Sequence, residues 1–239
     1  AGRVFSESGW HGHYDQRISG TAHTVAHTIA QVQPSITMRT LLVFLKYPAP
    51  GRTKTRLGES LGEVRAAELY REWISMVMTT IQSVRDRTRV VACYDGAAES
   101  AFAPWHPLAD VWCQQPDGDL GDRLTAAFLT WQREKGPTVA IGTDCLDLKA
   151  DHIEGAFAAL ASHDVVFGPA SDGGYYLVGL ARPLPGFFGG IPWSTSTTLE
   201  AHLAKCARHG WSVEQLETLD DIDTADDWAE YQRRSRAAP

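Results

Sequence analysis

The sequence Val139-Ala-Ile-Gly-Thr-Asp-Cys-Leu-Asp-Leu148 decides the fold of this chain. Its first residues are apolar and β-prone, which is typical of a buried parallel strand. In open α/β sheets, ligands bind in the crevice outside the carboxyl ends of such strands. Asp144 is therefore predicted to lie at the mouth of a crevice. A carboxylate there costs stability unless a positive charge meets it, and the predicted positive charge is a divalent cation.

The composition is that of an ordinary globular protein. The 239 residues are 44% hydrophobic and 21% charged, and the net charge is −7. The negative charge argues against nucleic acid or an anionic membrane as the main partner. No apolar run approaches the roughly 20 residues that span a membrane. The four cysteines are widely spaced without a Cys-x-x-Cys pair, so a reducing cytoplasm is predicted and zinc is not.

Strand and helix patterns alternate from residue 38 to residue 236, which predicts one α/β domain. The expected architecture is three-layered, α/β/α, with a mainly parallel sheet and right-handed crossovers. The strands at 164–168 and 175–180 are joined by too short a loop for a crossover helix, so they are predicted to be antiparallel and the sheet mixed. Residues 1–37 lack sustained periodicity and are predicted to be an N-terminal extension, a tail or a remnant outside the domain.

Three capping boxes mark predicted helix starts: Ser60 with Glu63, Thr197 with Glu200, and Thr224 with Asp227. The first of these helices is expected to begin near Leu61 and to run to about Ser83. Asp147 is interpreted either as a second metal ligand beside Asp144 or as a cap of the helix that follows it.

The loop Tyr47-Pro-Ala-Pro-Gly-Arg-Thr-Lys-Thr-Arg-Leu-Gly58 is the best candidate for an anion site. Its prolines exclude a helix or a central strand. Arg52, Lys54 and Arg56 supply N–H donors, and Gly51 allows close approach of the backbone to a ligand. Neither a Walker motif nor a dinucleotide fingerprint is present. The alternative is a solvated basic loop without a ligand.

The run Gly118-Asp-Leu-Gly-Asp-Arg123 precedes a predicted helix. Its glycines would let a base or a sugar lie against the backbone, and Arg123 could reach a phosphate. The alternative is an ordinary helix start, in which the negative charges of Asp119 and Asp122 stabilise the positive end of the helix dipole.

Further carboxylates, Asp172, Asp221 and Asp223, lie in loops that follow predicted strands. Carboxylate oxygens suit Mg²⁺ or Mn²⁺, which keep water ligands that substrate phosphates can replace. A serine hydrolase is not predicted, because no Gly-x-Ser-x-Gly motif occurs. Cys145 is interpreted as a packing residue, since the neighbouring carboxylate would suppress its thiolate.

Six motifs occur in order along the chain: Pro-x-Pro-Gly-x-x-Lys-Thr-Arg-Leu after a strand, Gly-Asp-Leu-Gly-x-Arg, Gly-x-Asp-Cys-x-Asp-Leu, Gly-Pro-x-x-Asp-Gly-Gly-Tyr-Tyr-Leu-x-Gly, Pro-Trp-Ser-Thr and Asp-Ile-Asp-Thr-x-x-Asp. Together they resemble the bacterial glycosyltransferase-A-like family known as radical-SAM/selenodomain-associated transferase 1, which includes proteins similar to arsenosugar-biosynthesis glycosyltransferases. The resemblance covers about Arg39 to Arg234. The family commonly has proline where this chain has Leu146.

The resemblance implies a nucleotide-diphospho-sugar transferase fold and a set of site residues. The donor phosphates would be held by the first loop, through Pro50, Gly51, Lys54 and Arg56. The nucleotide would be lined by Gly118, Asp119, Gly121 and Arg123. The metal, Mg²⁺ or Mn²⁺, would be bound by Asp144 and by Asp223. The acceptor would be faced by Asp172, Gly173, Gly174, Tyr175, Trp193, Ser194 and Thr195.

These residues allow two reactions. In the first, a glycosyl group passes from a nucleotide sugar to a small-molecule acceptor, and Asp172 orients or deprotonates the acceptor hydroxyl. In the second, a nucleoside triphosphate and a phosphorylated small molecule are joined with release of pyrophosphate. The basic loop favours the second reaction, and the family resemblance favours the first. A third hypothesis is a non-catalytic nucleotide-binding protein, against which the presence of both Asp144 and Asp223 argues. No oligomeric state is predicted.

Overall fold

A seven-stranded sheet forms the centre of the molecule. The computed structural model describes residues 38–132 and 136–237, so the predicted extension over residues 1–37 lies outside the described residues. The strands are β1 (Arg39–Lys46), β2 (Thr88–Asp95), β3 (Val111–Gln114), β4 (Thr138–Ile141), β5 (Val165–Pro169), β6 (Tyr175–Leu180) and β7 (Val213–Gln215). Their order across the sheet is β3-β2-β1-β4-β6-β5-β7. Strand β6 is antiparallel to both β4 and β5, whereas the other pairs are parallel. The predicted mixed, mainly parallel sheet is confirmed.

Helices cover both faces of this sheet. They are α1 (Thr55–Leu61), α2 (Glu63–Gln82), α3 (Leu120–Trp131), α4 (Ala150–Ala159), α5 (Thr198–His209) and α6 (Ala225–Ala237), with 3₁₀ helices at Arg85–Arg87 and Glu99–Leu108. Side chains of α2 and α4 share one buried cluster, and those of α3 and α5 share the other. The three-layer α/β/α architecture follows.

Alternation along the strands divides the core between the two faces. In β1, Leu41 and Val43 point to the cluster that contains α2, and Leu42 points to the cluster that contains α3. All three side chains are fully buried. Each burial of this kind stabilises the fold by roughly 1.5–3 kcal/mol. The strands that carry such runs are therefore fixed at the centre of the sheet.

The strand order reverses between β1 and β4. The chain leaves β1 to form β2 and β3 on one side, and it returns at β4 to form the other side. Connections that leave two adjacent parallel strands in opposite directions open a crevice at the strands' carboxyl ends. The loop after β1 and the turn at Thr143 and Asp144 border this crevice, as the sequence predicts for Asp144.

Three local predictions about helix capping are wrong. Gly62, with φ of 87°, separates α1 from α2, so the basic loop leads directly into α1 at Thr55 and Ser60 lies inside that helix. Thr197 is the residue before α5, so the predicted helix start is confirmed, but its side chain makes no capping hydrogen bond. Asp147 does not cap α4, because Lys149 occupies the N-cap position, and the Asp147 carboxylate instead accepts a hydrogen bond of 2.7 Å from Arg234 of α6. The third box is confirmed, since Asp227 N donates to Thr224 Oγ1 at 3.2 Å and Asp227 Oδ2 accepts from Thr224 N at 2.8 Å.

Candidate active site

Lys54 lies at the centre of a charged cluster in the crevice. Its ammonium nitrogen is 2.9 Å from Asp144 Oδ1 and 2.8 Å from Asp223 Oδ1, and it donates to the Ile222 carbonyl at 2.7 Å. The lysine side chain is 6% exposed, whereas the two carboxylates are 44% and 53% exposed. Burial alone would lower the pKa of Lys54, but the charges and hydrogen bonds of Asp144 and Asp223 outweigh burial and raise it above its ordinary value. Lys54 is therefore a fixed positive charge.

The first loop and helix α2 hold this lysine in place. Lys54 itself has left-handed backbone angles, with φ of 51°, immediately before α1 begins. Thr53 Oγ1 donates to the Ala49 carbonyl at 3.1 Å and closes the loop. The rings of Tyr70 and Trp73 lie below the ammonium, 5.9 and 5.6 Å from it. These aromatic faces attract the cation and exclude water from its stem.

Asp144 is placed by the end of β4. The preceding residue, Thr143, is buried, and its hydroxyl shares a 2.8 Å hydrogen bond with the hydroxyl of Tyr70. The Asp144 carbonyl accepts from Ile222 N at 3.0 Å, which fixes the C-terminal acidic loop against the strand end. This backbone bond brings Asp223 to Asp144 across the crevice.

Asp221 adds a third carboxylate to this region. Burial and then the charge of Asp144 raise the pKa of Asp221 to about 7, although Lys54 partly offsets them. Asp172 and Asp223 also raise this pKa. The cluster thus contains more negative than positive charge close to Lys54.

Two adjoining cavities meet at this cluster. The smaller, of about 260 Å³, is lined by the cationic side chains Lys46, Arg52, Lys54 and Arg56. The larger, of about 660 Å³, is lined by the acids Asp144, Asp172, Asp221 and Asp223 and by the rings of Tyr175 and Trp193. Both cavities are bordered by Arg56, Asp144 and Asp223. We call them the basic cavity and the acidic cavity.

The predicted phosphate-binding residues divide between buried and exposed positions. Lys54 and Arg56 line the basic cavity, and Arg56 Nη1 lies 3.6 Å from Asp223 Oδ2 with a 73% exposed side chain. Pro50 and Gly51 are exposed loop residues. Gly51 has φ of 68°, and a Cβ there would come 2.9 Å from Glu63 Oε2. Glycine at this position is thus favoured by the left-handed turn, whereas the Glu63 carboxylate, at the end of a flexible side chain, could move aside.

The predicted nucleotide-binding run forms the start of α3. Asp119 caps the helix in a reciprocal box with Asp122, as the structural alternative anticipates. Arg123 Nη1 donates to Asp95 Oδ2 at 2.7 Å, and Arg123 Nε donates to the Gly118 carbonyl at 3.1 Å. The guanidinium therefore holds the loop to β2. Gly118 has φ of 123°, a value that non-glycine residues rarely adopt.

The predicted acceptor-facing residues come from two loops that pack together. Asp172 Oδ1 accepts from Gly174 N at 2.8 Å and so shapes its own turn. The Gly173 carbonyl accepts from Leu199 N at 3.0 Å, which joins this turn to α5. The acidic cavity is lined from these loops by Asp172, Gly174, Tyr175, Trp193, Ser194 and Thr195. Gly173 supports them, since a Cβ there would lie 2.0 Å from the Ser196 carbonyl oxygen.

Helix α3 contacts the acceptor-side loop directly. A Cβ on Gly121 would lie 2.3 Å from Trp193 Nε1, so the indole packs against the helix backbone. The absence of a side chain at Gly121 is therefore a packing requirement. Residues 118–123, which are predicted to line the nucleotide, therefore also fix the position of Trp193 in the wall of the acidic cavity.

The comparisons with known proteins identify relatives of this arrangement. Residues 78–195 match the family described as "Uncharacterized protein conserved in bacteria (DUF2064)". No curated protein matches the sequence. A proposed nucleotide-diphospho-sugar transferase from Desulfovibrio desulfuricans G20 is 31% identical, with a TM-score of 0.76, and the match covers 83% of this chain and 87% of that one.

The chain belongs to the nucleotide-diphospho-sugar transferase superfamily. It is accordingly an enzyme of the transferase class, and the predicted fold is confirmed. The non-catalytic hypothesis is not supported.

More distant solved structures share the fold of this transferase. CMP:2-keto-3-deoxy-manno-octonic acid synthetase in complex with CTP has a TM-score of 0.55 at 10% identity, over 83% of this chain and 98% of that one. A Mycobacterium tuberculosis H37Rv protein in complex with manganese has a TM-score of 0.51 at 14% identity, over 81% and 97% of the two chains. At these identities the likeness concerns the fold alone.

The acidic residues of the transferase fit a divalent cation. Mg²⁺ is usually held by one or two carboxylates together with waters and substrate phosphates. Asp144 and Asp223 supply two half-exposed carboxylates that already share one cation, the Lys54 ammonium. Among the described residues, no preformed group of three or more His, Cys, Asp and Glu side chains suitable for a metal is present. The fit is therefore that of a two-carboxylate site completed by a ligand.

Three features of the transferase site escape the sequence analysis. The side chains of Tyr70 and Trp73 lie beneath Lys54, but their spacing on α2 resembles that of ordinary core residues. The half-buried position of Asp221 at the acidic cavity depends on how the C-terminal loop docks. The pairing of Arg123 with Asp95 depends on the contact between α3 and β2.

Within residues 38–132 and 136–237, no helix is both long and apolar enough to cross a membrane.

Proposed function

We propose that this transferase moves a glycosyl group from a nucleotide sugar to a hydroxyl of a small acceptor, using Mg²⁺ or Mn²⁺ held by Asp144 and Asp223. The observation that carries the proposal is the pair of adjoining cavities with opposite charge. The six sequence motifs also lead us to assign the chain to the radical-SAM/selenodomain-associated transferase 1 family within the superfamily.

The basic cavity suits the donor diphosphate. Its four cationic side chains match a group that carries several negative charges, and about 260 Å³ is too little for a whole nucleotide sugar. Lys54 and Arg56 would offset the charge that develops on the departing diphosphate. Lys54 would then exchange its carboxylate partners for phosphate oxygens.

The acidic cavity suits the sugar and the acceptor. Arg56 is the one cation among the described residues that line it, whereas four carboxylates line it. A phosphorylated acceptor would meet repulsion here, while hydroxyl groups can donate hydrogen bonds to carboxylates. Half-buried Trp193 adds an aromatic surface against which a sugar ring can pack. This charge distribution favours glycosyl transfer to an acceptor without phosphate.

The residues of the chain divide the catalytic work. Asp172 would orient the acceptor hydroxyl and accept its proton, because it lines the acidic cavity and uses only Oδ1 for its own turn. A divalent cation bound by Asp144 and Asp223 supplies Lewis acidity toward the leaving diphosphate. The loop with Gly118, Asp119, Gly121 and Arg123 would shape the nucleotide surface through its backbone, since Arg123 is already paired with Asp95.

Nucleotidylyl transfer is a second candidate, favoured by the four cations of the basic cavity. Departing pyrophosphate needs more positive charge than a nucleoside diphosphate does. In that reaction a nucleoside triphosphate would place its β- and γ-phosphates beside Lys54 and Arg56. The acceptor would then attack the α-phosphorus from the acidic cavity.

Product analysis distinguishes the two reactions. The protein is incubated with Mn²⁺ and a panel of nucleotide sugars or nucleoside triphosphates, together with hydroxyl acceptors and their phosphorylated counterparts. Release of a nucleoside diphosphate from a nucleotide sugar supports glycosyl transfer. Release of pyrophosphate from a triphosphate supports the second candidate and overturns the first.

A matched pair of variants tests the metal assignment. Asp144→Asn should weaken Mn²⁺-dependent nucleotide binding by at least about 100-fold, because one of two cation ligands is lost. Asp147→Asn is the control, since Asp147 lies three residues away but pairs with Arg234 outside both cavities. Unchanged nucleotide binding by Asp144→Asn, measured by calorimetry, would refute the assignment.

A further inference from the structure

Two cysteines face each other at the edge of the sheet. Cys93 in β2 and Cys113 in the edge strand β3 are direct register partners, and their sulfur atoms are 3.6 Å apart. Neighbouring strands lie roughly 4.8 Å apart. That spacing falls within the range of about 4.4–6.8 Å between the Cα atoms of disulfide-bonded cysteines. The Cβ atoms of a disulfide lie only about 3.5–4.5 Å apart, so a covalent bond between the two sulfurs requires a small approach of the two strands.

The two thiols differ in exposure and in acidity. Cys93 is buried and Cys113 is half-buried, and both border a cavity of about 120 Å³ between the sheet and α3. The hydrogen bond that the two thiols share lowers the pKa of Cys113 and raises that of Cys93, and the indole of Trp131 further lowers the pKa of Cys113. Because Cys113 is the more accessible thiol, it is the one that an oxidant entering this cavity meets first.

We propose that Cys93 and Cys113 form a reversible oxidation site, in which a peroxide converts the dithiol to a disulfide and alters the loop 115–123 at the rim of the active site. This proposal does not rest on the reaction proposed above, because it concerns the chemistry of the thiols alone.

The chemistry takes two steps. The Cys113 thiolate attacks one oxygen of hydrogen peroxide, the O–O bond breaks, and a sulfenic acid and hydroxide form. The Cys93 thiol then attacks the sulfenic sulfur, the S–O bond breaks, and water leaves. In total, two thiols and one peroxide give one disulfide and two waters. A small-molecule thiol reverses the oxidation by exchange.

A chain of hydrogen bonds connects the dithiol to the loop. Gln115 Nε2 donates to the Cys93 carbonyl at 2.7 Å, and Gln115 Oε1 accepts from Arg123 Nη1 at 3.2 Å. Arg123 in turn binds the Gly118 carbonyl. Gln115 also follows directly after β3, which ends at Gln114. Shortening the distance between the sulfurs to about 2.05 Å must draw the end of β3 toward β2. Gln115 and the loop after it would move with that strand.

Oxidation of the intact protein tests the proposal. The protein is treated with hydrogen peroxide, and its free thiols are counted before and after reduction, with peptide mass spectrometry to locate any disulfide. We expect two of the four thiols to be lost, one disulfide between Cys93 and Cys113, and full recovery on reduction. Cys113→Ser and Cys93→Ala should each abolish that disulfide. Cys206→Ala is the control, because burial raises the pKa of this thiol to about 11.

Hydrogen exchange tests the connection to the loop without any substrate. Oxidation of the wild-type protein should change amide exchange over residues 115–123 at least about twofold and leave α5 unaffected. The same treatment of Cys113→Ser should change neither region. A disulfide with a different partner, four intact thiols after oxidation, or unchanged exchange in the loop would each overturn the proposal.

Discussion

At the scale of single residues, the site depends on the position of the Lys54 ammonium between two carboxylates. A divalent cation is the predicted partner of Asp144, yet in the folded chain Lys54 meets Asp144 and Asp223 together. The two interpretations are compatible, because bound phosphate can take over the lysine while a metal takes over the carboxylates. The buried ammonium therefore keeps the acidic loop in position when no ligand is bound.

Replacing Lys54 with methionine tests this role. Lys54→Met keeps the apolar stem but leaves Asp144 and Asp223 without their shared cation. Because the acids are half-exposed, we expect a loss of about 1–3 kcal/mol in the free energy of unfolding without metal. Added Mn²⁺ should restore part of it. Urea unfolding measures both effects, and exposed Arg52→Met, from the same loop, should stay within about 0.5 kcal/mol of wild type.

At the scale of elements, the contact between α3 and the Trp193 loop sets the shape of the acidic cavity. Sequence patterns predict α3, but they do not show that the Trp193 indole packs against the backbone of Gly121 in its first turn. The wrong start predicted for α2 has a similar origin. Ser60 and Glu63 satisfy the spacing of a capping box, yet Gly62 in a positive-φ conformation separates two helices there. Spacing rules cannot detect such a break, because it depends on the surrounding packing.

Two glycine-to-alanine substitutions separate packing from helix propensity. Gly121→Ala should lower the free energy of unfolding by about 1–3 kcal/mol, because the new methyl group must displace the Trp193 indole. Gly155→Ala in the interior of α4 should raise it by about 0.5–1 kcal/mol, since its methyl group would meet only Leu216 Cδ2 at 3.9 Å. Chemical denaturation measures both changes. Stabilisation by Gly121→Ala would show that the indole does not rest on α3.

At the scale of the whole molecule, local sequence patterns predict the sheet, whereas only the family resemblance brings Asp144 and Asp223 to one site. The strands around Leu41, Val90 and Val139 are marked by continuous apolar runs, and such runs are local in sequence. The contact between Lys54 and Asp223 joins residues that are 169 positions apart. It depends on the docking of the C-terminal loop through the bond from Ile222 N to the Asp144 carbonyl. No pattern within a short window encodes that bond.

Stability should depend on pH through His202, which lies buried in α5 among aromatic side chains. Burial, and then the charge of Lys205, lowers the pKa of His202 to about 4, although the Phe187 backbone partly offsets this. In the unfolded chain the pKa returns to about 6.5. Between those values the unfolded state binds an extra proton, so stability falls as the pH decreases from 6.5 toward 4.

The expected loss between pH 7.5 and pH 5 from this histidine is about 2 kcal/mol. His202→Leu should remove this component, so the variant should lose less stability than wild type over the same interval. His209→Leu, at an exposed position of the same helix, should respond to pH as the wild type does. The measurement is the denaturation midpoint of wild type and both variants at the two pH values. Equal losses in wild type and His202→Leu would contradict the assignment.

The bond that docks the acidic loop on β4 also bears on how the protein is made. During synthesis, β1 and the loop with Lys54 leave the ribosome long before Asp223 is translated. A nascent chain that has already formed the sheet still has an incomplete cation site, and its lysine has only one of its two carboxylates. Nucleotide binding should therefore report on synthesis of the acidic loop. A ribosome-bound fragment that stops before Ile222 would not capture donor, because the loop that brings Asp223 to Asp144 is still missing.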